Sequence, residues 1–177
     1  MNNDVEKFLI DSNAFITPHR NYYQFSFAPT FWELLNQHCS SGKIMTLDMV
    51  MGELCREKED EKKDDMQIWL ESSFTGIPVS SKTQDVLTNY AIVMNHLQID
   101  DKYLEDAARE WSDVKVADPW LIAVAKTYGY TIVSFEKRMS ISSRNPTKRA
   151  KIPNICDDFG IKYCNLFDMM KVLKFRM

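Results

Sequence analysis

Four carboxylates, far apart in a chain of 177 residues, each stand where an apolar segment stops or an apolar helix begins. Asp11 follows the run Phe8-Leu9-Ile10, and Glu136 closes the run Thr131-Ile132-Val133-Ser134-Phe135. Glu53 falls in the second turn of the helix expected after Lys43-Ile44-Met45-Thr46-Leu47, and Asp118 opens the apolar stretch Pro119 to Ala125. In an open parallel sheet, ligands meet the carboxyl ends of the strands, and helix N-termini share that edge. The four acids are therefore directed to one place. Two such charges about 5 Å apart repel by roughly 3 kcal/mol at an effective dielectric near 20. The crowding is tolerated when some acids hold protons or a cation sits among them. Oxygen ligands without His or Cys suit Mg²⁺ or Mn²⁺ rather than zinc. Those ions serve phosphoryl chemistry by activating water and neutralising charge on phosphate.

Each acid also has an ordinary explanation. Asp118 before Pro119 is a good helix N-cap. Glu53 is equally an exposed helical residue, and Glu136 a partner for Lys137 or Arg138. Asp11 is harder to explain away, because no helix is expected directly behind it. Near the last acid, Lys137, Arg138, Arg144, Lys148, Arg149 and Lys151 fall within fifteen residues that contain no acid. That segment is either a solvated loop or a clamp on a phosphate backbone. Tyr22, Tyr23 and Phe25 could stack on unpaired bases, although packing on the core is the simpler use. The histidines His19, His38 and His96 fit no ligand spacing, and His19-Arg20 lies close enough in sequence to Asp11 to touch a phosphate.

The elements that position these residues follow from periodicity. Short apolar runs at Phe8–Ile10, Lys43–Leu47, Thr131–Phe135 and Ile161–Leu166 read as buried strands. Helical spacing predicts helices from Pro29 to Gly42, from Met49 behind an Asp48 cap, over Gln67–Phe74 and through Val86–Leu97. The same spacing predicts Tyr103–Trp111, Asp118 to Gly129 and Phe167 to about Lys174. Tyr22 to Trp32 reads as an aromatic loop, and Arg56–Asp65, ten charged residues of mixed sign, as a solvated helix face or connection. Strands alternate with helices and no hairpin turn joins them. The prediction is α/β, with a central parallel sheet of four to five strands flanked by helices.

Composition narrows the function classes. Apolar residues make up 45% and charged residues 27%, which excludes disorder over most of the chain. The net charge of −3 excludes a globally basic nucleic-acid binder, so any polyanion must be met by a local patch or a metal. The four cysteines, Cys39, Cys55, Cys156 and Cys164, lack C-x-x-C spacing and read as free buried thiols. No stretch is long enough for a secretory signal or a spanning helix, so the expectation is a soluble cytoplasmic protein without membrane partners. One domain is expected over 1–177. Residues 6–136 carry the acids, 137–160 form the basic connection, and 161–177 hold the last strand and helix.

Phe8-Leu9-Ile10-Asp11-Ser12-Asn13 resembles the opening motif of PIN-domain nucleases, an apolar strand ending in Asp. Val50-Met51-Gly52-Glu53-Leu54 is similar to their second motif, and Ala117-Asp118-Pro119-Trp120-Leu121-Ile122-Ala123 to their third. Ser134-Phe135-Glu136 resembles the fourth. The order matches, and the resemblance runs from Phe8 to Leu166. It implies a single PIN-like domain with Mg²⁺- or Mn²⁺-dependent endoribonuclease activity, the toxin of a type II toxin–antitoxin pair. Asp11, Glu53, Asp118 and Glu136 carry over as catalytic metal ligands, with Asn13 and Ser134 orienting them. The implied partners are substrate RNA, a cognate antitoxin protein and a second copy in a homodimer. Lys137, Arg138, Arg144, Lys148 and Arg149 are the candidate RNA contacts. Two departures stand out. The family's fourth acid is usually Asp and here is Glu, which leaves Asp157 or Asp158 as alternatives, and the chain is longer than the most compact toxins of that group.

Two rival readings use the same residues. One is a PIN-like module that binds RNA or protein without catalysis. The other is a phosphohydrolase in which Asp11 attacks phosphorus. Such enzymes generally want a second Asp where Asn13 stands.

Overall fold

Phe8–Ile10 forms β1, a strand buried on both faces, as an all-apolar run in a covered parallel sheet must be. The computed structural model describes residues 6–56 and 62–177. Three more strands complete the sheet: β2 (Ile44–Met45), β3 (Thr131–Val133) and β4 (Tyr163–Cys164). Their order is β2-β1-β3-β4 and every pairing is parallel. Leu9 pairs with Met45 on one side and Ile132 on the other, and Val133 pairs with Cys164. The chain turns outward in opposite directions from β1, so the seam between β1 and β3 is the topological switch point where open α/β sheets bind ligands.

The architecture is the α/β arrangement that the alternating pattern predicts, with nine helices among the described residues. In chain order they are α1 (Asn13–Asn21), α2 (Pro29–Ser40), α3 (Asp48–Leu54), α4 (Asp65–Ser72) and α5 (Gln84–Ile99). They continue as α6 (Glu105–Trp111), α7 (Asp118–Tyr128), α8 (Ile152–Phe159) and α9 (Leu166–Val172). Helix α7 carries the densest core face, with Leu121, Ile122, Ala123, Val124 and Ala125 all buried. It packs along α5, where Tyr90 stacks on Trp120 at 3.9 Å and Asn89 Nδ2 donates to Thr127 Oγ1 at 2.9 Å. Gly129 ends α7 at φ 72°, a left-handed position that favours glycine.

Several expectations are corrected. Asp11 is followed at once by α1, whose Ala14 N–H donates to the Asp11 carbonyl at 2.9 Å. The basic connection is no free loop. Asn154, buried, clasps Met139 with two hydrogen bonds, accepting from its N–H at 2.9 Å and donating to its carbonyl at 2.8 Å. Thr147 pairs with the segment before α6, taking Leu104 N–H at 2.8 Å, and the connection's last part is α8. The strands are shorter than the apolar runs. Beyond Met45, Leu47 forms a lone parallel bridge with Val79, the rudiment of a fifth strand. Asp48 is the first residue of α3 rather than its cap, and Leu47 holds the cap position.

Tyr23 and Phe25 of the aromatic segment pack on the core, as the simpler reading requires, whereas Tyr22 stays exposed, with its ring 6.4 Å from that of Phe135. Tyr23 stacks on Phe31 at 4.3 Å, Phe25 lies 4.6 Å from Trp32, and Trp32 Nε1 donates to the Tyr23 carbonyl at 2.7 Å. The four cysteines are free; Cys39 and Cys156 are buried, while Cys55 and Cys164 are half-buried. Of the charged run Arg56–Asp65, residues 57–61 lie outside the described residues. No helix among the described residues is long and apolar enough to cross a membrane.

Candidate functional site

The β1–β3 seam ends in a hydrogen-bonded carboxylate. Asp11 N–H donates to the Val133 carbonyl at 3.1 Å, extending the ladder by one step and setting the Asp11 side chain beside the end of β3. There Ser134 Oγ donates to Asp11 Oδ2 at 3.0 Å, Ser12 Oγ to Oδ1 at 3.2 Å, and Asn13 Nδ2 to Oδ2 at 3.4 Å. Asp11 is only 2% exposed. Burial pushes its carboxyl up, Ser134 and Ser12 oppose that, and the charges of Glu136 and Glu53 add to it.

Asp118 stands in the same field. Burial, then Asp11, Glu136 and Glu53, push its carboxyl up to about 8, with Lys151 pulling the other way. The four carboxylates are thus brought together from β1, α3, α7 and the end of β3, as the sequence predicts. Asp118 does not cap its helix. Ala117 holds the cap position without a side-chain cap bond, and its N–H donates to Glu53 Oε1 at 3.0 Å. A carboxylate at a helix N-terminus is favourable, so Glu53 performs the service that the sequence assigns to Asp118.

Glu136 pairs with neither Lys137 nor Arg138. Its Oε1 accepts from Lys151 Nζ and its Oε2 from the Ile152 N–H at 2.8 Å, the first residue of α8. Its own N–H donates to Ser134 Oγ at 3.1 Å, so one hydroxyl ties the first acid to the fourth. Neither alternative for the fourth acid joins the cluster. Asp157 pairs with Arg138 Nε, and Asp158 lies among His96, Lys102 and Tyr103. The helix α8 carries both away from the seam, a placement hidden while the segment reads as loop.

The donor set fits a hard cation. Among the described residues no hydrogen bond reaches the Asp118 side chain, so its charged form has nothing nearby to stabilise it except Lys151. A group so placed favours a proton or a cation, and four acids without His or Cys would suit a hard ion such as Mg²⁺ or Mn²⁺. The cluster is nevertheless open. Among the described residues, the group whose ligand atoms all lie within 4.8 Å of one another is His96, Asp100 and Asp158. That trio already has its cation: Lys102 Nζ bonds Asp158 Oδ1 and lies 3.4 Å from Asp100 Oδ2. Burial works against the Asp158 charge, but donors on Lys102, His96 and Tyr103 outweigh it and hold its carboxyl below the usual range. Sequence spacing missed this structural knot, since His96, Lys102 and Asp158 meet only when α5 packs beside α8.

Of the candidate RNA contacts, Arg138 is paired with Asp157, and Lys148 Nζ lies 3.9 Å from Asp106. Lys137, Arg144 and Arg149 are exposed and make no side-chain ion pair among the described residues. A family model described as a domain of unknown function (DUF4411) matches residues 8–177. The chain belongs to that family. The matched span takes in all four carboxylates and the hydroxyls that hold Asp11. No curated protein matches the chain.

Proposed function

We propose that this DUF4411 chain is a divalent-metal-dependent ribonuclease that hydrolyses RNA phosphodiester bonds. The observation that carries the reading is Asp118, a carboxyl pushed up to about 8 beside three further acids at the switch point of the sheet. Asp11, Glu53, Asp118 and Glu136 would hold the ion. Bound there, Mg²⁺ or Mn²⁺ supplies Lewis-acid activation of water and neutralises charge building on the phosphate. The chain's own residues supply orientation and proton handling. Ser134, Ser12 and Asn13 fix the Asp11 carboxylate, and Ala117 N–H fixes Glu53. Asp118, neutral below about pH 8 without a cation, can hold or release a proton within the cluster. Lys137, directly after Glu136, and Arg144 and Arg149 remain free to meet phosphate.

The resemblance to PIN-domain nucleases extends the proposal to a cytoplasmic toxin neutralised by a cognate antitoxin. The deciding assay is cleavage of a labelled RNA by protein free of contaminating nuclease. Cleavage with Mn²⁺ that stops in EDTA supports the enzyme; cleavage that persists in chelator removes the metal mechanism. Growth arrest on expression, relieved by co-expressing a small protein encoded beside this chain, would support the toxin role, and unimpaired growth would remove it.

One observation favours the rival module without catalysis. Both Glu136 oxygens are already occupied, by Lys151 and by the Ile152 N–H. On that reading Lys151 replaces the metal, and Mn²⁺ neither stabilises the protein nor elicits cleavage.

A further inference from the structure

The C-terminal ends of two helices meet away from the four acids. His96 lies in the last turn of α5 and Asp100 is its C-cap, while Asp158 lies in the last turn of α8. A helix C-terminus carries roughly half a negative charge, so two of them beside two carboxylates attract a cation. In the metal-free chain Lys102 supplies it, with Nζ bonded to Asp158 Oδ1 and 3.4 Å from Asp100 Oδ2. Beside a neutral imidazole, one ammonium offsets one carboxylate; a divalent ion offsets both.

The ligand atoms are already gathered. His96 Nε2 lies 2.9 Å from Asp158 Oδ2 and 3.6 Å from Asp100 Oδ2, and one ligand atom of each residue fits within 4.8 Å of the other two. Zinc bonds nitrogen and oxygen at about 2.0–2.2 Å, which sets two tetrahedral ligands about 3.4 Å apart, between the two separations to the imidazole. Both carboxylates are oriented by further partners, as metal ligands usually are. Asp100 Oδ1 accepts the Lys102 N–H at 2.9 Å, which leaves Oδ2 for the imidazole side, and Tyr103 Oη donates to Asp158 Oδ2 at 2.8 Å. The imidazole packs against Phe159 with ring centroids 5.0 Å apart. Side-chain exposures of 21% for His96, 24% for Asp100 and 13% for Asp158 leave the trio within reach of an ion from solvent.

We infer that His96, Asp100 and Asp158 form a site for a zinc-class divalent ion, which displaces the Lys102 ammonium and pins the end of α5 to the end of α8. An imidazole among the ligands suits Zn²⁺ and disfavours Mg²⁺, the reverse of an all-carboxylate set. The ion takes the Nε2 lone pair and one oxygen from each carboxylate, and water completes the four positions. The site does not depend on the nuclease reading. Its position gives it a use: α8 begins at Ile152, whose N–H bonds Glu136 Oε2 at 2.8 Å, so an ion at the far end steadies the helix that holds Glu136.

The test is proton NMR of the full chain, stripped with EDTA, dialysed and titrated with ZnCl₂ alone. The chain has three histidines, so the His96 Cε1–H resonance is assigned by its loss in His96→Gln. Equimolar Zn²⁺ should move that resonance and leave those of His19 and His38 in place, and Mg²⁺ at the same concentration should not move it. The imidazole reports only its own site, so zinc taken up by a free cysteine or by the four acids does not enter the reading. Asp100→Asn should weaken Zn²⁺ binding about tenfold, and Lys102→Met, which removes the competing ammonium, should tighten it about tenfold, a change of about 1.4 kcal/mol in either direction. A His96 resonance that ignores Zn²⁺, or that moves equally with Mg²⁺, overturns the site. Wild-type affinity in Asp100→Asn or in Lys102→Met does the same.

Discussion

Ser134 holds Asp11 across the seam between β1 and β3: its hydroxyl donates to Asp11 Oδ2 at 3.0 Å and accepts the Glu136 N–H at 3.1 Å. A hydroxyl has one proton to give and lone pairs to receive, so both bonds coexist. The first acid of the cluster and the backbone of the fourth are thereby set by a single buried side chain.

Replacing Ser134 by Ala should therefore act twice. The Glu136 N–H and one Asp11 oxygen lose their partner, which costs about 1–3 kcal/mol in a buried setting. Urea unfolding in EDTA reads that loss. Asp11 also loses a donor that favours its charged form, so its carboxyl rises further. A metal ligand must be deprotonated, so Mn²⁺ should bind more weakly in calorimetric titration. Wild-type stability together with wild-type Mn²⁺ affinity would falsify this role.

Asp118 sets the pH dependence. Its carboxyl is raised from 3.8 to about 8, so between those values the folded protein holds a proton that the unfolded chain releases. Stability from this group is full below about pH 4 and is lost as pH rises through about 8. The metal-free melting temperature should fall from pH 5 towards pH 9. Asp118→Asn should flatten that fall, leaving the variant more stable than wild type at pH 9 and similar to it only below about pH 4. Cleavage should vanish in the variant, and the melting shift on adding Mn²⁺ should shrink. Normal cleavage by Asp118→Asn sinks the proposed site.

The carboxylates were legible because each interrupts an apolar run, and the parallel sheet then fixes which edge they share. Helix α1 was not, because Pro18 lies inside it and Thr17 to Asn21 are almost all polar. Proline is usually a breaker there, and tertiary packing of Ala14 and Phe15 overrides it. Helix α8 did leave a signal, Pro153 at its start and Gly160 at its end, masked by the basic residues before it. Partnerships that depend on packing, such as Glu136 with Lys151 across fifteen positions, leave no local trace.

Asp158 should prove structural. It accepts from Tyr103 Oη at 2.8 Å and bonds both Lys102 and His96. Hydrogen bonds to charged groups are worth about 1.5–3 kcal/mol each, so Asp158→Ala should lower stability by about 3 kcal/mol after partial solvation of its exposed partners. Cleavage per folded molecule should stay at the wild-type rate when assayed well below the melting temperature. A variant that folds normally but cannot cleave would return Asp158 to the active site.

Lys151 separates the enzyme from the inert module. Its ammonium bonds Glu136 and lowers the Asp118 carboxyl, so in the metal-free protein it is the cation of the cluster. Lys151→Met removes that charge and leaves Glu136 only its bond to the Ile152 N–H. Repulsion among the four acids then rises, and the metal-free melting temperature should fall. If the site takes Mn²⁺, the ion no longer competes with an ammonium for Glu136. Its affinity should increase roughly three- to tenfold, the span of about 0.7–1.4 kcal/mol. The melting shift at a fixed, subsaturating Mn²⁺ concentration should grow accordingly, because stabilisation follows occupancy of the native state. If Lys151 instead stands permanently in the metal's place, the variant is destabilised and Mn²⁺ restores nothing. A melting curve of Lys151→Met that ignores Mn²⁺, beside a wild type that also ignores it, would establish the inert module and end the case for a metal-dependent nuclease.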